Sequence, residues 1–157
     1  MRGELGRHGA LNDMAAALLD ASLVLMLGVV TVSDLRVRLV PDGPLIASLV
    51  LALGVCLLST PGDLPERLAA GAGAAGFLLG AALIRPDGMG LGDVKLAGVL
   101  GAYLGAAVIE AMVVAFAAGS LVGLALIVRH GWSARRRTIP FAPCLALGAL
   151  VSVGWRI

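Results

Sequence analysis

The chain has 157 residues, of which 59% are hydrophobic and only 14% charged; with a mean hydropathy of +0.99, this excludes an ordinary soluble domain and points to a polytopic membrane protein. The net charge of +2 says little by itself, and no nucleic-acid partner is expected. The two cysteines, Cys56 and Cys144, lie singly in different apolar runs with no CxxC pair, so neither a disulfide framework nor a zinc module is expected, and no metal or cofactor is called for.

Apolar runs occur in chain order at about 14–33, 44–60, 68–84, 94–109, 111–128 and 140–155, several of them near the roughly 20 residues that cross a bilayer core. Six helical spans in one bundle, a single domain over residues 1–157, is the expected architecture. The first run is long and is followed by "SDLRVR" rather than a small-residue cleavage site, so it reads as a permanent span and not a signal peptide. One helix over Val94 to Val128 would be roughly 50 Å long, well beyond a core of about 30 Å; a turn is expected near Glu110. With both termini outside, the inner segments hold Arg36, Arg38, Arg85, Lys95, Arg129, Arg135, Arg136 and Arg137, against Arg2, Arg7, Arg67 and Arg156 outside, which is the positive-inside bias. The basic stretch "RHGWSARRR" is on this reading a topology anchor.

Small residues mark helix contacts. In the third run Ala72, Gly76 and Gly80 recur at four-residue steps, and in the fourth Asp93, Ala97, Gly101 and Gly105 do the same. Such stripes let helix backbones approach closely in lipid, where apolar side chains gain nothing by hiding from other apolar matter. Packing accounts for the small residues of the second stripe but not for the acid that heads it.

Of the ten acidic residues, Glu4, Asp13, Asp63 and Glu66 fall in the terminus or an outer loop, where solvation is the default. Asp20 lies inside the first span without an evident role, and Glu110 marks the outer turn. Asp42 and Asp87 each follow a proline and read as turn or helix-cap residues. Asp34 closes the first span and Asp93 opens the fourth. Three crossings separate them, so both arrive at the same face of the membrane. Two carboxylates held close and partly shielded cannot both ionise; one keeps a proton to donate while the other takes a proton from water. Paired intramembrane acids also serve proton relays and ion paths, and an acid at a helix N-terminus is favoured by the macrodipole in any protein.

The stretch "GMGLGD" narrows the choice. Gly90 and Gly92 leave the backbone beside Asp93 without side chains, which suits a site where an extended peptide lies against the enzyme. Other hydrolase chemistries lack their parts: His8 and His130 form no HExxH set, and Ser120 has no histidine within a span to activate it.

Three blocks are similar to those of the type IV prepilin peptidases, bacterial membrane aspartyl proteases of the GxGD type. "SDLRVRLVPDGPL" resembles the first, with Asp34 at the catalytic aspartate and Pro41 and Asp42 at the following turn. "GMGLGDVKLAGVLGAYLG" resembles the second, with Asp93 at the second catalytic acid and Lys95 at the family's lysine. "IPFAPCLALGAL" resembles the block opening the last span, with Ala142 where glycine is common and Cys144 where an aromatic residue is frequent. The similarity runs from about residue 20 to the C-terminus, and Val40 replaces a leucine or isoleucine.

The resemblance implies an aspartyl endopeptidase of the bacterial cytoplasmic membrane that removes the short basic leader of prepilins or pseudopilins on the cytoplasmic face, cutting after the leader glycine. Its expected partners are those substrates and the lipid bilayer. Larger members carry an N-terminal methylating module with cysteine pairs; the sequence here has no such cysteines, and a short, peptidase-only form like those of Flp pili is expected. Lys95 has two readings, an interfacial snorkelling residue or a charge acting on Asp93. The readings from other classes are a proton-coupled small transporter using the paired acids and a non-catalytic pilus assembly factor.

Overall fold

The computed structural model describes residues 2–37, 40–84, 90–130 and 141–155, with side chains from residue 14 in the first helix and up to residue 129 in the fifth. Asp87, Arg38, Arg85 and the basic residues Arg135 to Arg137, with the side chains of Glu4, His8, Asp13 and His130, lie outside the described residues.

The described chain forms α1 (Arg2–Val37), α2 (Asp42–Ser59), α3 (Leu64–Ile84), α4 (Leu91–Leu104), α5 (Val108–His130) and α6 (Ala142–Gly154), with 3-10 turns at Pro61–Asp63 and Gly105–Ala107. No strand occurs among the described residues. This is an all-α membrane protein, as expected where only internally bonded backbone is tolerated in lipid. Each expected apolar run has its helix. Among the described residues four stretches are long and apolar enough to cross a membrane, Met14–Val37, Asp42–Ser59, Pro61–Ile84 and Leu91–Arg129, and Ala142–Gly154 is a shorter apolar helix. The count of four differs from six because Leu91–Arg129 contains both α4 and α5, and α6 has only 13 residues.

The break in that long apolar stretch falls at Gly105–Ala107, ahead of the position expected from Glu110, which instead lies in the first turn of α5. Gly105 has φ +58 and ψ −138, a conformation that residues with a Cβ rarely adopt, so the chain breaks where glycine permits rather than where a charge stands. Interrupting a helix in lipid frees backbone groups that need new partners. Here the Arg67 Nη1 donates to the carbonyls of Ala102 (3.2 Å) and Tyr103 (2.7 Å). The Ala106 amide donates to Glu66 Oε1 at 3.2 Å, and Ser152 Oγ donates to the Ala107 carbonyl at 3.2 Å. Glu66 and Arg67, assigned from sequence to a solvated outer segment, thus secure the turn.

The centre of the bundle is α4, buried from Leu96 to Leu104 apart from the half-buried Gly98. It packs most extensively on α3, while α5 pairs with α6 and α1 lies against α2 and α6. The α3–α4 contact is made backbone to backbone. A Cβ on Gly101 would collide with the Gly71 backbone, and one on Gly71 would meet the Gly98 carbonyl oxygen at 2.7 Å. The expected small-residue stripe of α4 is therefore a packing face through Ala97 and Gly101, and Gly105 leaves it to form the turn. On α3 the expected stripe is corrected. Ala72 and Gly76 are exposed, Gly80 is half-buried and a Cβ on Gly76 or Gly80 would meet nothing, whereas Gly71, Ala74, Leu78 and Ala82 face the core. The α3 run is so rich in glycine and alanine that spacing alone offers several faces, and only the partner helix selects one.

Candidate active site

The register of α1 against α4 decides whether the two acids meet. The hydroxyls of Ser22 and Tyr103 lie 2.9 Å apart. From Ser22 to Asp34 α1 rises about 18 Å, and from Tyr103 back to Asp93 α4 spans about 15 Å in the antiparallel sense. Both acids therefore reach nearly the same level at one end of the bundle. Asp34 stands on the last turns of α1, which continues to Val37 rather than ending at the acid. Asp93 stands on the first turn of α4, after Gly90 at the N-cap, and its amide donates to the Gly90 carbonyl at 3.1 Å.

Each of the two carboxylate residues retains only 8% of its exposure. Buried acids in hydrophobic surroundings are costly and are found where they have work to do. Both line one recess of about 330 Å³, together with Val40, Asp42, Gly90, Leu91, Gly92 and Lys95. Pro41 does not line it; it caps the N-terminus of α2 with φ −70 and ψ 131 and so sets where Val40 and Asp42 project.

Three details refine the sequence reading. Lys95 Nζ donates to Asp42 Oδ1 at 2.7 Å, so the lysine is the partner of Asp42 rather than a free snorkelling group. The pair ties the start of α2 to the second turn of α4 beside the recess, and Asp42 belongs to the first turn of α2, where a negative charge suits the helix N-terminus. The space beside Gly92 is taken by a neighbour: a Cβ there would approach Val40 Cβ and Cγ2 at 2.8 Å. Gly92 is thus the seat of Val40 and not open clearance. Gly90 is exposed, and a Cβ there would be in ordinary contact with Asp93 Oδ2 at 3.8 Å. Val40 is the residue that sequence reasoning passed over; it stood in a recognised block but as a mild replacement, and only the approach of the α1–α2 connection to α4 gives it a role.

Cys144 on the first turn of α6 is buried and has a free thiol. Among the described residues no group of three or more His, Cys, Asp or Glu is arranged to hold a metal ion. The recess presents two carboxylates at the buried ends of two helices.

A bundle of apolar helices with two buried acids sharing one recess defines a class, the membrane-embedded proteins with paired intramembrane carboxylates. Comparison with known proteins specifies it further. The profile of the type IV leader peptidase family matches residues 21–128, which include both acids and the whole of α2, α3 and α4. The chain belongs to this family. It is 31% identical over 149 residues to a prepilin leader peptidase/N-methyltransferase of Bacillus subtilis, covering 93% of this chain and 58% of that protein. It is 37% identical over 149 residues to the leader peptidase HopD of Salmonella typhimurium, covering 87% of this chain and 90% of that one. The chain thus spans little more than half of the first relative and most of the second. No solved structure matches it.

Proposed function

We propose that the chain is an aspartyl endopeptidase that removes the leader of prepilins or pseudopilins, with Asp34 and Asp93 as its catalytic pair. The observation that carries this reading is the joint burial of the two acids on one recess, in a chain that belongs to the leader peptidase family. The pair shares one proton, because two like charges at close range in a poorly solvated site do not both ionise. The ionised member takes a proton from a water molecule as the water oxygen attacks the scissile carbonyl carbon. The protonated member then gives its proton to the amine nitrogen as the carbon–nitrogen bond breaks. The face is cytoplasmic, in keeping with the excess of arginine and lysine in the segments on the side of the acids, and the cut falls after the leader glycine, where the polar leader meets the apolar segment. Gly90 and Lys95 stand at the mouth along which the peptide approaches.

A proton-coupled transporter finds less support. Such a path needs polar groups in series across the bilayer, and the buried polar or charged residues among those described are Asp34, Ser48, Asp93 and Ser152. Asp34 and Asp93 sit at one end of α1 and α4, and the buried residues of those two helices are otherwise apolar apart from the Tyr103 hydroxyl.

The test is processing of a cognate prepilin in membranes by Asp34→Asn and Asp93→Asn. Each variant is expected to accumulate to normal levels and to cleave nothing; full cleavage by either removes it from the catalytic pair.

A further inference from the structure

α2 and α3 are consecutive in the chain, yet they barely touch; each packs on α4. The seam between them is a groove of about 480 Å³, floored by Gly98 and Ala102 of α4 and walled by Leu49 and Leu53 of α2 and by Leu68 and Ala72 of α3. One end is the Asp42–Lys95 pair, which also lines the recess of the two acids. The other end is Arg67, whose guanidinium is engaged by the last carbonyls of α4. Between Asp42 and Leu53 the helix rises about 16 Å, roughly half of a hydrocarbon core of about 30 Å.

We propose that this groove seats the apolar helical segment of the substrate that adjoins the bond cut in the recess. The proposal rests on the peptidase reading and specifies how its substrate is held. Because the recess and the groove share Asp42 and Lys95, a polypeptide leaving the acids toward the bilayer enters the seam without having to cross a helix. The polarity changes along that route: carboxylates, a lysine and glycines at the recess, then apolar walls for about three turns of helix. A substrate that is polar before the bond and apolar after it fits this sequence of surroundings in one direction only. An apolar segment in lipid is helical, and Ala72, Gly98 and Ala102 allow a helix backbone to come close to α3 and α4. The occupant is thus the substrate's own apolar segment, and a lipid acyl chain is the competitor.

The test compares two substrates of the full chain in proteoliposomes: an intact prepilin, and a peptide carrying only its leader, the scissile bond and a few following residues. Ala72→Trp fills the groove and is expected to lower the ratio of intact-prepilin to short-peptide cleavage by at least about tenfold. Leu51→Trp, on the opposite face of α2 and exposed, is expected to leave the ratio unchanged. A photoreactive residue at Leu49 is expected to cross-link the prepilin through its apolar segment, and one at Leu51 is not; this readout stands even if Ala72→Trp fails to fold. An unchanged ratio in folded Ala72→Trp, or adducts at Leu49 with lipid alone, overturns the groove assignment while leaving the peptidase reading intact. A wild-type chain that cleaves neither substrate overturns the peptidase reading, and the Leu49 cross-link then decides whether the groove takes the prepilin.

Discussion

Ser22 and Tyr103 bring their hydroxyls to 2.9 Å across the α1–α4 contact, and this places Asp34 and Asp93 at one level of the bundle although the two helices otherwise meet little. The hydrogen bond is one part of that register, with the packing of α1 on α2 and α6 as the other. Ser22 Oγ also donates to the Leu19 carbonyl at 2.9 Å, so Tyr103→Phe leaves the serine satisfied. The expected loss is about 0.6 kcal/mol, the ordinary worth of an interhelical hydrogen bond in a membrane. Thermal unfolding in micelles measures it, and a loss of several kcal/mol there means that the pair alone holds the register.

Catalysis by a pair that shares one proton has a two-sided pH dependence. At low pH both carboxyls are protonated and neither can take a proton from water; at high pH both are ionised and neither can protonate the leaving amine. Cleavage is expected to fall on both sides of a maximum, with two apparent pKa values that belong to the pair. A rate that rises to a plateau and stays there at high pH argues for a single base. Asp93→Asn is expected to abolish turnover without lowering thermal stability, since it replaces an ionisable group in a buried site by a neutral one of the same shape.

The seating of Val40 on Gly92 predicts a rescue. Gly92→Ala forces Val40 off α4 and shifts the α1–α2 connection that lines the recess; overpacking of this kind costs about 1–3 kcal/mol. Prepilin cleavage is expected to drop by roughly tenfold or more, and Val40→Gly in the same chain is expected to recover much of it. Failure of the second change to restore any activity, in a chain that still folds, locates the defect elsewhere.

Glycines of equal appearance in the sequence are expected to behave very differently. Gly101→Ala drives a methyl into the Gly71 backbone and Gly105→Ala forces a Cβ into a positive-φ conformation; each is expected to cost about 1–3 kcal/mol. Gly76→Ala meets nothing within 4 Å and gains up to about 1 kcal/mol of helix propensity. Unfolding of the three variants side by side checks the ranking, and a destabilised Gly76→Ala removes the assignment of the α3 packing face.

Removing the Asp42–Lys95 pair is expected to change stability little. Both side chains are more than half exposed, at 59% and 56%, and such pairs contribute at most about 1 kcal/mol. Lys95→Met is expected to affect prepilin cleavage through the entrance to the recess more than it affects unfolding. A loss of stability of several kcal/mol in Lys95→Met, read by denaturation at low and high salt, makes the pair a structural clamp instead.

The sequence by itself determined that this is a helical membrane protein, because apolar runs of bilayer length admit no other backbone solution, and it singled out Asp34 and Asp93, because isolated carboxylates at the ends of such runs stand out against their surroundings. The family followed from the same blocks. Tertiary structure alone decided which glycine of α3 meets α4, that the turn falls at Gly105 rather than near Glu110, that Lys95 pairs with Asp42, and that Val40 fills the space at Gly92. Burial in lipid is local and is written in hydropathy. Helix contacts in lipid depend on close fit between small residues, and where several glycines offer equivalent faces the choice belongs to the partner helix.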